Sequence, residues 1–256
     1  MRNSSYGQEV ESPDEFLEQR ARDIVSMAGD TKLKDQAIAL QVAANSYRFG
    51  YQQLWCGVPV IRLPDDILLL QEIVFSLKPR CIVETGVARG GSLLLNASLM
   101  DISGLQPNVL GIDICIYQHA HEAVQNSKYS SSIELIQSDS TSITAQAAVR
   151  RLLQKVGKDH PSMLILDSNH TQAHVSKELD VLASDFPIGS VVIVADTLIE
   201  HMPAEIYVNR PWGVGNNPLT AARDFLARNN DFKLHEQWSY RGLISELHGG
   251  VLVRTK

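Results

Sequence analysis

The chain has 256 residues, of which 29 are acidic and 23 are basic, so its formal net charge is −6. Hydrophobic residues make up 44% of the sequence and charged residues 20%, the balance of an ordinary globular chain. An acidic chain has no general attraction for phosphate backbones, so we expect no nonspecific nucleic-acid binding. No apolar run approaches the roughly 20 residues that a membrane span needs.

The cysteines and the start of the chain bear on the cellular compartment. Cys56, Cys81 and Cys115 are odd in number and lack the spacing of metal ligands, so free thiols in a reducing cytoplasm are the simplest interpretation. Residues 1–15 are polar and contain no apolar stretch, so we predict a frayed terminus and see no secretory signal. We therefore expect a cytoplasmic protein.

The first 79 residues show helical periodicity. Apolar residues recur at three- and four-residue steps between residues 16 and 29. A second run with the same period consists of Ala37, Leu40, Ala44, Tyr47 and Tyr51. A short extended piece lies between Pro59 and Pro64, and a third helix ends before Pro79. The apolar faces of these helices need a partner, so we predict that residues 1–79 form a lid over a ligand cleft or an association element between subunits.

From residue 80 onward, short apolar strands alternate with helices. The predicted strands cover residues 81–84, 109–113, 133–136, 163–167 and 190–194. The predicted helices cover residues 92–100, 119–126, 143–156, 175–183 and 217–228. Two final strands, at 232–238 and 243–253, are expected to form a hairpin. Apolar strands that alternate with helices predict an α/β fold with a doubly wound parallel sheet over residues 80–256.

An acidic residue lies at, or just past, the end of each of the five predicted strands. These residues are Glu84, Asp113, Asp139, Asp167 and Asp196. One such residue is commonly a loop residue, but five at successive strand ends are hard to attribute to chance. Ligands of doubly wound sheets bind beyond the carboxyl ends of the strands, so we expect these side chains to surround a site.

The loop after the first strand of the sheet is rich in glycine. Residues 84–92 read E-x-G-x-x-x-G-x-S, and this spacing differs from the G-x-G-x-x-G of nicotinamide-binding loops. Glu84 suits the amino-acid part of a zwitterionic ligand. Gly86 and Gly90 allow close approach of the backbone, Ser92 can cap the following helix, and we assign Arg89 to the ligand carboxylate. Alone, the loop fits an ordinary glycine-rich turn equally well.

The next two strand ends add to this interpretation. Asp113 is placed to accept hydrogen bonds from ribose hydroxyls, and Asp139 with Ser138 is placed to hold an adenine amino group. Together with the glycine loop, these residues predict a pocket for S-adenosylmethionine.

Three stretches resemble a known family. They cover residues 83–92, 166–175 (Leu-Asp-Ser-Asn-His-Thr, then His174-Val175) and 210–218 (Arg-Pro-Trp-Gly-Val-Gly-Asn-Asn-Pro). In this order they resemble the cephalosporin-hydroxylase/rhamnosyl O-methyltransferase family of S-adenosylmethionine-dependent enzymes, from about Tyr47 to the C-terminus. The resemblance implies the class I methyltransferase fold, which is Rossmann-like, with a seven-stranded, mostly parallel sheet flanked by helices and, here, an N-terminal helical extension.

The resemblance also implies roles after the fourth and fifth strands. The site pattern is similar to that of metal-dependent catechol and macrolide-sugar O-methyltransferases, in which the residue matching Asp167 is a magnesium ligand and the one matching His170 is the catalytic base. Many relatives place two adjacent ligands after the fifth strand, whereas this chain has Ala195-Asp196. We expect Asp167 and Asp196 to bind Mg²⁺, with Glu200 as a candidate third carboxylate. The alternative is that Asp196 caps a turn and that no metal binds.

Two further residues are candidates for contact with the acceptor substrate. His201 lies in a loop predicted to cover the site, and Trp212 could stack on the face of a sugar. For the segment around Trp212, the alternative is a packed connection whose Asn217 simply caps the next helix.

We therefore predict an S-adenosylmethionine-dependent O-methyltransferase that acts, with Mg²⁺, on a hydroxyl of a sugar or glycosylated natural product. Its partners would be this small-molecule or glycan acceptor and further copies of the chain in a homo-oligomer. One alternative is a component of a cephalosporin-type hydroxylation and methylation system. Another is a catalytically silent cofactor-binding scaffold, which Ala195 favours. A nicotinamide oxidoreductase is opposed by the glycine spacing.

Overall fold

The computed structural model describes residues 11–256. It contains two small strands and a seven-stranded sheet. The strands are β1 (Gln53–Trp55), β2 (Val58–Val60), β3 (Ile82–Thr85), β4 (Val109–Asp113), β5 (Ile133–Gln137), β6 (Met163–Leu166), β7 (Val191–Val194), β8 (Phe232–Leu234) and β9 (Val251–Arg254). The sheet has the order β5-β4-β3-β6-β7-β9-β8. Strands β3 to β7 pair in parallel, and β9 pairs antiparallel with both β7 and β8. The predicted seven-stranded, mostly parallel sheet is confirmed.

Residues 11–256 contain nine α-helices. They are α1 (Pro13–Gly29), α2 (Thr31–Asn45), α3 (Pro64–Leu77), α4 (Gly91–Ile102), α5 (Gln118–Gln125), α6 (Ile143–Val156), α7 (Gln172–Leu182), α8 (Pro218–Arg228) and α9 (Glu236–Tyr240). One apolar core joins the sheet to α3, α4 and α5, and the other joins it to α6, α7 and α8. Among residues 11–256, no helix is long and apolar enough to cross a membrane.

The strand order determines where a ligand can bind. From the middle of the sheet, β3, β4 and β5 follow one another toward one edge, whereas β6 and β7 follow one another toward the other edge. The direction of the chain therefore reverses between β3 and β6, which is the topological switch point. Loops that leave neighbouring strands at a switch point diverge and leave a crevice between them. Glu84 near the end of β3, Asp113 at the end of β4, and Asp167 and Asp196 just after β6 and β7 all lie along this edge of the sheet.

The N-terminal segment differs in part from the prediction. Residues 1–10 of the predicted frayed terminus lie outside the described residues. The remaining part is not frayed, since Pro13 already begins α1. Ser12 and Glu15 form a reciprocal capping box that starts this helix. The second predicted helical run ends at Asn45 instead of Tyr51. Beyond it, Arg48 adopts a left-handed conformation with φ of 54°, and the chain turns into the hairpin of β1 and β2.

The C-terminal prediction of two long strands is wrong in its bounds. Only β8 and β9 are extended, while residues 236–240 form α9. The His235 ring accepts a hydrogen bond from the Trp238 amide and caps this short helix. The Ser239 hydroxyl accepts from the Val251 amide at 3.2 Å, which holds α9 against the start of β9. All three cysteines are free, as predicted.

Candidate active site

A cavity of about 570 Å³ lies at the carboxyl ends of β3, β4, β6 and β7. Of the predicted site residues, eight line it: Gly86, Arg89, Ser92, Asp113, Asp167, His170, Asp196 and Trp212. Its volume falls within the range of about 300–1,000 Å³ found for small-molecule sites. The cavity therefore occupies the place that the strand ends predict.

The glycine loop is held tightly against the neighbouring strand. Gly86 has φ of +92°, and a Cβ atom there would lie 2.0 Å from the carbonyl oxygen of Asp167. Only glycine allows the end of β3 to pass the end of β6 this closely. Gly90, with φ of +84°, occupies the cap position of α4, and Ser92 lies inside the helix. The prediction that Ser92 caps the helix is therefore wrong, although Ser92 does line the cavity.

Asp113 holds the glycine loop from the end of β4. Its Oδ2 accepts a hydrogen bond from the Val87 amide at 2.8 Å, and its Oδ1 accepts one from the Cys115 amide at 3.0 Å. The carboxylate thus stabilises the loop and also faces the cavity. Its assignment to ribose hydroxyls remains a prediction.

Ser138 and Asp139 lie at the end of β5, away from the residues that line the cavity. Asp139 Oδ1 accepts hydrogen bonds from both the amide and the hydroxyl of Thr141 at 2.7 Å, and these bonds lower the pKa of Asp139. The Ser138 hydroxyl lies 2.7 Å from that of Ser142. Both residues shape the turn into α6, and their assignment to adenine remains a prediction.

Glu84 lies beneath the cavity and not on its wall. Its side chain is buried, with Oε2 accepting from Asn96 Nδ2 at 2.8 Å and Oε1 accepting from Arg62 Nη2 at 3.3 Å. Burial raises the pKa of Glu84, and the positive charge of Arg62 opposes that rise. Glu84 therefore anchors the end of β3, and its contact with an amino-acid ligand remains a prediction.

Arg62 is a central residue that the sequence interpretation missed. It follows β2, is only 1% exposed, and its Nη2 lies 3.2 Å from Asp167 Oδ2 as well as near Glu84. Burial alone would lower the pKa of Arg62, but the carboxylates of Asp167 and Glu84 outweigh burial and raise it. Its buried position could have been suspected from the sequence only because Arg62 is the single charged residue in the apolar extended segment 58–63.

More carboxyl groups surround Arg62 than one cation neutralises. Asp66 accepts from the Ser245 hydroxyl at 2.5 Å and the Glu246 amide at 2.8 Å, and burial raises its pKa to about 6. Burial also raises the pKa of Glu246 well above its usual value, as do nearby Asp196 and Asp66. Among residues 11–256, Nε and Nη1 of Arg62 have no hydrogen-bond partner. This end of the sheet therefore carries an excess of buried acidic groups.

Asp167, His170 and Asp196 come together on the cavity wall. Each offers one ligand atom, and these atoms all lie within 4.8 Å of one another. His170 Nδ1 is 3.1 Å from Asp196 Oδ2, and the rings of His170 and Trp212 stand perpendicular with their centroids 4.7 Å apart. Burial raises the pKa of Asp167 well above its usual value, and nearby Asp196 raises it further although Arg62 opposes both. Bringing two carboxylates this close favours a cation between them.

The other residues considered for this site do not join the cluster. Ala195 is buried in the core, so it offers no ligand. Glu200 lies outside the cluster, because its carboxylate accepts hydrogen bonds from the Gly215 amide and from Asn217. His201 lines a second, smaller cavity and not this one, so its predicted contact with the acceptor is not supported. Asn217 caps α8, as the packed-connection alternative proposed.

The N-terminal segment supplies part of the cavity wall. Gln41 and Asn45 of α2 line the cavity, and Gln41 Nε2 donates to Asn45 Oδ1 at 3.1 Å. Gln41 is only 5% exposed, and in the described part of the chain its Oε1 has no hydrogen-bond partner. Leu40, assigned to the buried face from the sequence, is 61% exposed. The buried face of α2 therefore includes Ala37 of the predicted run but has Gln41 in place of Leu40, and this polar side chain was the missed signal.

The chain was compared with known protein families and curated proteins. The family model described as rhamnosyl O-methyltransferase/CmcI matches residues 47–255. A rhamnosyl O-methyltransferase of Mycobacterium leprae (strain TN) is 28% identical over 151 residues, which are 58% of this chain and 62% of that protein. One of Mycobacterium bovis (strain BCG / Pasteur 1173P2) is 26% identical over 152 residues, which are 58% of each. The chain thus spans about three fifths of the length of these relatives.

Solved structures show the same fold. An apo structure of CmcI superposes with a TM-score of 0.56 and 24% identity, covering 80% of this chain and 77% of that one. A CmcI structure with Mg and SAM gives a TM-score of 0.54 and 22% identity, covering 80% and 78%. At these identities the likeness concerns the fold.

Proposed function

The chain belongs to the rhamnosyl O-methyltransferase/CmcI family, and from this we propose that it is an S-adenosylmethionine-dependent O-methyltransferase. The acceptor would be a hydroxyl group of a sugar or glycosylated natural product. The observation that carries the proposal is the cluster of Asp167, His170 and Asp196, which faces the same cavity as the glycine loop. The sugar acceptor is supported by the names of the two mycobacterial relatives.

The geometry of the glycine loop suits the proposed methyl donor. Gly86, Arg89 and Asp113 line the cavity together with Asp167 and Asp196. The sulfonium group of the donor is a cation, so an acidic wall is favourable for it. Arg89 carries the charge needed to pair with the donor carboxylate.

The chemistry of the cluster also suits Mg²⁺. Carboxylate oxygens are the protein ligands that this ion prefers, and Mg²⁺ usually retains several waters, so two carboxylates can suffice. We propose that Asp167 and Asp196 hold the ion. When bound, it would lower the pKa of the acceptor hydroxyl. Ala195 stands where many relatives have a further ligand, so waters and acceptor oxygens would complete the shell.

His170 is the proposed base. Its Nδ1 faces Asp196, which orients the ring and leaves Nε2 to receive the hydroxyl proton. The Trp212 ring packs perpendicular to the imidazole and offers an apolar surface to a sugar ring. With S-adenosylmethionine bound, the acceptor oxygen would form a bond to the methyl carbon as the carbon–sulfur bond breaks. The products would be S-adenosylhomocysteine, the methylated acceptor and a proton on His170. Because the sulfonium charge disappears, positioning should supply much of the rate.

We propose that residues 1–79 cover the cavity and support association of subunits. The contact of Gln41 and Asn45 with the cavity supports the covering role. Leu68 and Phe75, which lie two helical turns apart on α3, are 58% and 60% exposed, and this favours association. Light scattering coupled to gel filtration would detect a dimer or larger assembly. A strictly monomeric mass at high concentration would remove the association part.

Methyl transfer provides the test of activity. The purified chain would be incubated with S-adenosylmethionine labelled in the methyl group and a panel of rhamnosides, other glycosides and simple phenols, with Mg²⁺ or with EDTA. We expect label to transfer to a glycoside, to be lost in EDTA and to return with Mg²⁺. Full activity in EDTA would remove the metal from the proposal. Tight donor binding without transfer to any acceptor would favour a non-catalytic cofactor-binding protein.

A further inference from the structure

A second cavity, of about 250 Å³, lies between α2 and the C-terminal part of the chain. Its apolar wall includes Ala37, Ile38, Leu219, Leu226, Leu243 and Ile244. It shares the wall residues Gln41 and Leu198 with the candidate active site but contains none of the proposed metal or donor residues. Its volume is somewhat below the range for drug-sized ligands, so its occupant would be small.

Basic groups converge on this cavity. Lys34 of α2, Arg223 of α8, His201 and His248 all line it, whereas Asp35 is the only carboxylate among its lining residues. Within residues 11–256, neither Lys34 nor Arg223 has a carboxylate within salt-bridge distance. The Lys34 ammonium instead lies 5.7 Å from the centre of the Tyr240 ring. The cavity thus carries an excess of positive charge, although the chain as a whole has a net charge of −6.

The histidines show that these charges act on one another. Burial lowers the pKa of His201, and the positive charges of Arg223 and Lys34 lower it further, while the carboxylate of Glu200 opposes them. Burial also lowers the pKa of His248, and nearby His201 and Lys34 add to this effect. Like charges that repel each other around an apolar space would be stabilised by an anion.

We propose that this second cavity binds a small organic anion with an apolar body. Leucine, isoleucine and alanine side chains contact the body, and Lys34 and Arg223 pair with the charged group. A neutral apolar molecule would offer no charge to partly buried Lys34 or to exposed Arg223, and a bare inorganic anion would leave the apolar wall exposed to water. Both parts of the ligand are therefore required. The site is separate from methyl transfer and does not depend on the proposed function.

Calorimetric titration with four matched probes tests this site. The full chain would be titrated with hexanoate, with hexanol, with hexylamine and with inorganic phosphate. We expect hexanoate to bind about 3- to 5-fold more tightly than hexanol, since a partly exposed ion pair contributes up to about 5-fold. Hexanoate should also bind more tightly than hexylamine, which lacks the negative charge, and than phosphate, which lacks the apolar body. Binding of hexanol as tight as that of hexanoate would overturn the role of the cations. Equally tight binding of phosphate would overturn the role of the apolar wall.

Variants locate the site. Lys34→Gln and Arg223→Gln should each lower the affinity for hexanoate about 3- to 5-fold. The matched controls are Lys32→Gln on α2 and Arg228→Gln on α8. Both positions lie outside the cavity lining, so these variants should keep the wild-type affinity. Ala37→Phe should fill the cavity and abolish binding, with circular dichroism showing that the variant folds. Unchanged affinity in Lys34→Gln/Arg223→Gln would overturn the proposal. S-adenosylmethionine is titrated into the same samples, so that failure of the methyltransferase proposal is seen separately from failure of this site.

Discussion

The guanidinium of Arg62 and the carboxylate of Asp167 lie 3.2 Å apart although 105 residues separate them in the chain. The pair joins the segment after β2 to the end of β6, and the same Nη2 atom also reaches Glu84 at the end of β3. The candidate active site is therefore tied to the N-terminal segment through a buried ion cluster. Its stability and its chemistry are expected to depend on residues far from the glycine loop.

Removal of Arg62 should strongly destabilise the fold. Arg62→Met leaves Glu84 and Asp167 without their buried partner, and breaking a buried pair in this way costs about 3–5 kcal/mol. Urea unfolding at neutral pH would measure the loss. Arg80→Met, at an exposed position near the start of β3, is the matched control and should change the unfolding free energy by less than about 0.5 kcal/mol. Equal effects of the two substitutions would contradict the role of the cluster.

The pKa of Asp66 predicts how stability changes with pH. Burial raises this pKa from 3.8 to about 6, so the native state holds the proton more tightly than the unfolded chain does. The stabilisation is present below about pH 4 and is lost as the pH rises through 6. Because Asp66→Asn stays neutral, its unfolding free energy relative to the wild type should increase by roughly 2–3 kcal/mol between pH 4 and pH 7.5.

Urea unfolding of both proteins at several pH values would measure this difference. Asp159→Asn, at an exposed position, is the control, and its difference from the wild type should change less over this pH range. A constant difference between the Asp66 variant and the wild type over the whole range would contradict the assignment.

The close contact at Gly86 can be separated from its backbone conformation. Gly86 and Gly104 both have positive φ, +92° and +75°, but a Cβ atom at Gly104 would meet nothing within 4 Å. Gly104→Ala should therefore cost only the conformational penalty of about 1–2 kcal/mol. Gly86→Ala adds a clash with the Asp167 carbonyl and should cost clearly more. Chemical denaturation compares them, and a Gly86 variant as stable as the Gly104 variant would show that the loop can move aside.

How far the sequence predicts this structure depends on the range of the interactions involved. The strands, the glycine loop and the acidic strand ends follow from local periodicity and from the geometry of parallel sheets. Arg62 was missed because its partners lie far away in the chain. The short helix around Ser239 was missed because its contact with Val251 is long-range. Gln41 was missed because Leu40, one residue earlier, fits the same helical period almost as well.

His170 should be required for turnover but not for binding of the donor. His170→Gln removes the proposed base, and loss of general base catalysis typically lowers kcat about 10²- to 10⁴-fold. The affinity for S-adenosylmethionine should change little, because His170 is assigned to the acceptor side. His160→Gln, at an exposed position, is the control. Steady-state kinetics on the best acceptor from the panel would show this, and a kcat within 3-fold of the wild-type value would exclude His170 as the base.

Calorimetric titration of the full chain with S-adenosylmethionine, S-adenosylhomocysteine and NAD, each with and without Mg²⁺, tests the central claim most directly. The account predicts that both adenosyl sulfur compounds bind with one site per chain, that NAD does not compete, and that Gly86→Ala weakens their binding. Absence of binding by both adenosyl compounds under every condition, in a sample shown to be folded, would contradict the assignment of this cavity as a methyl-donor site.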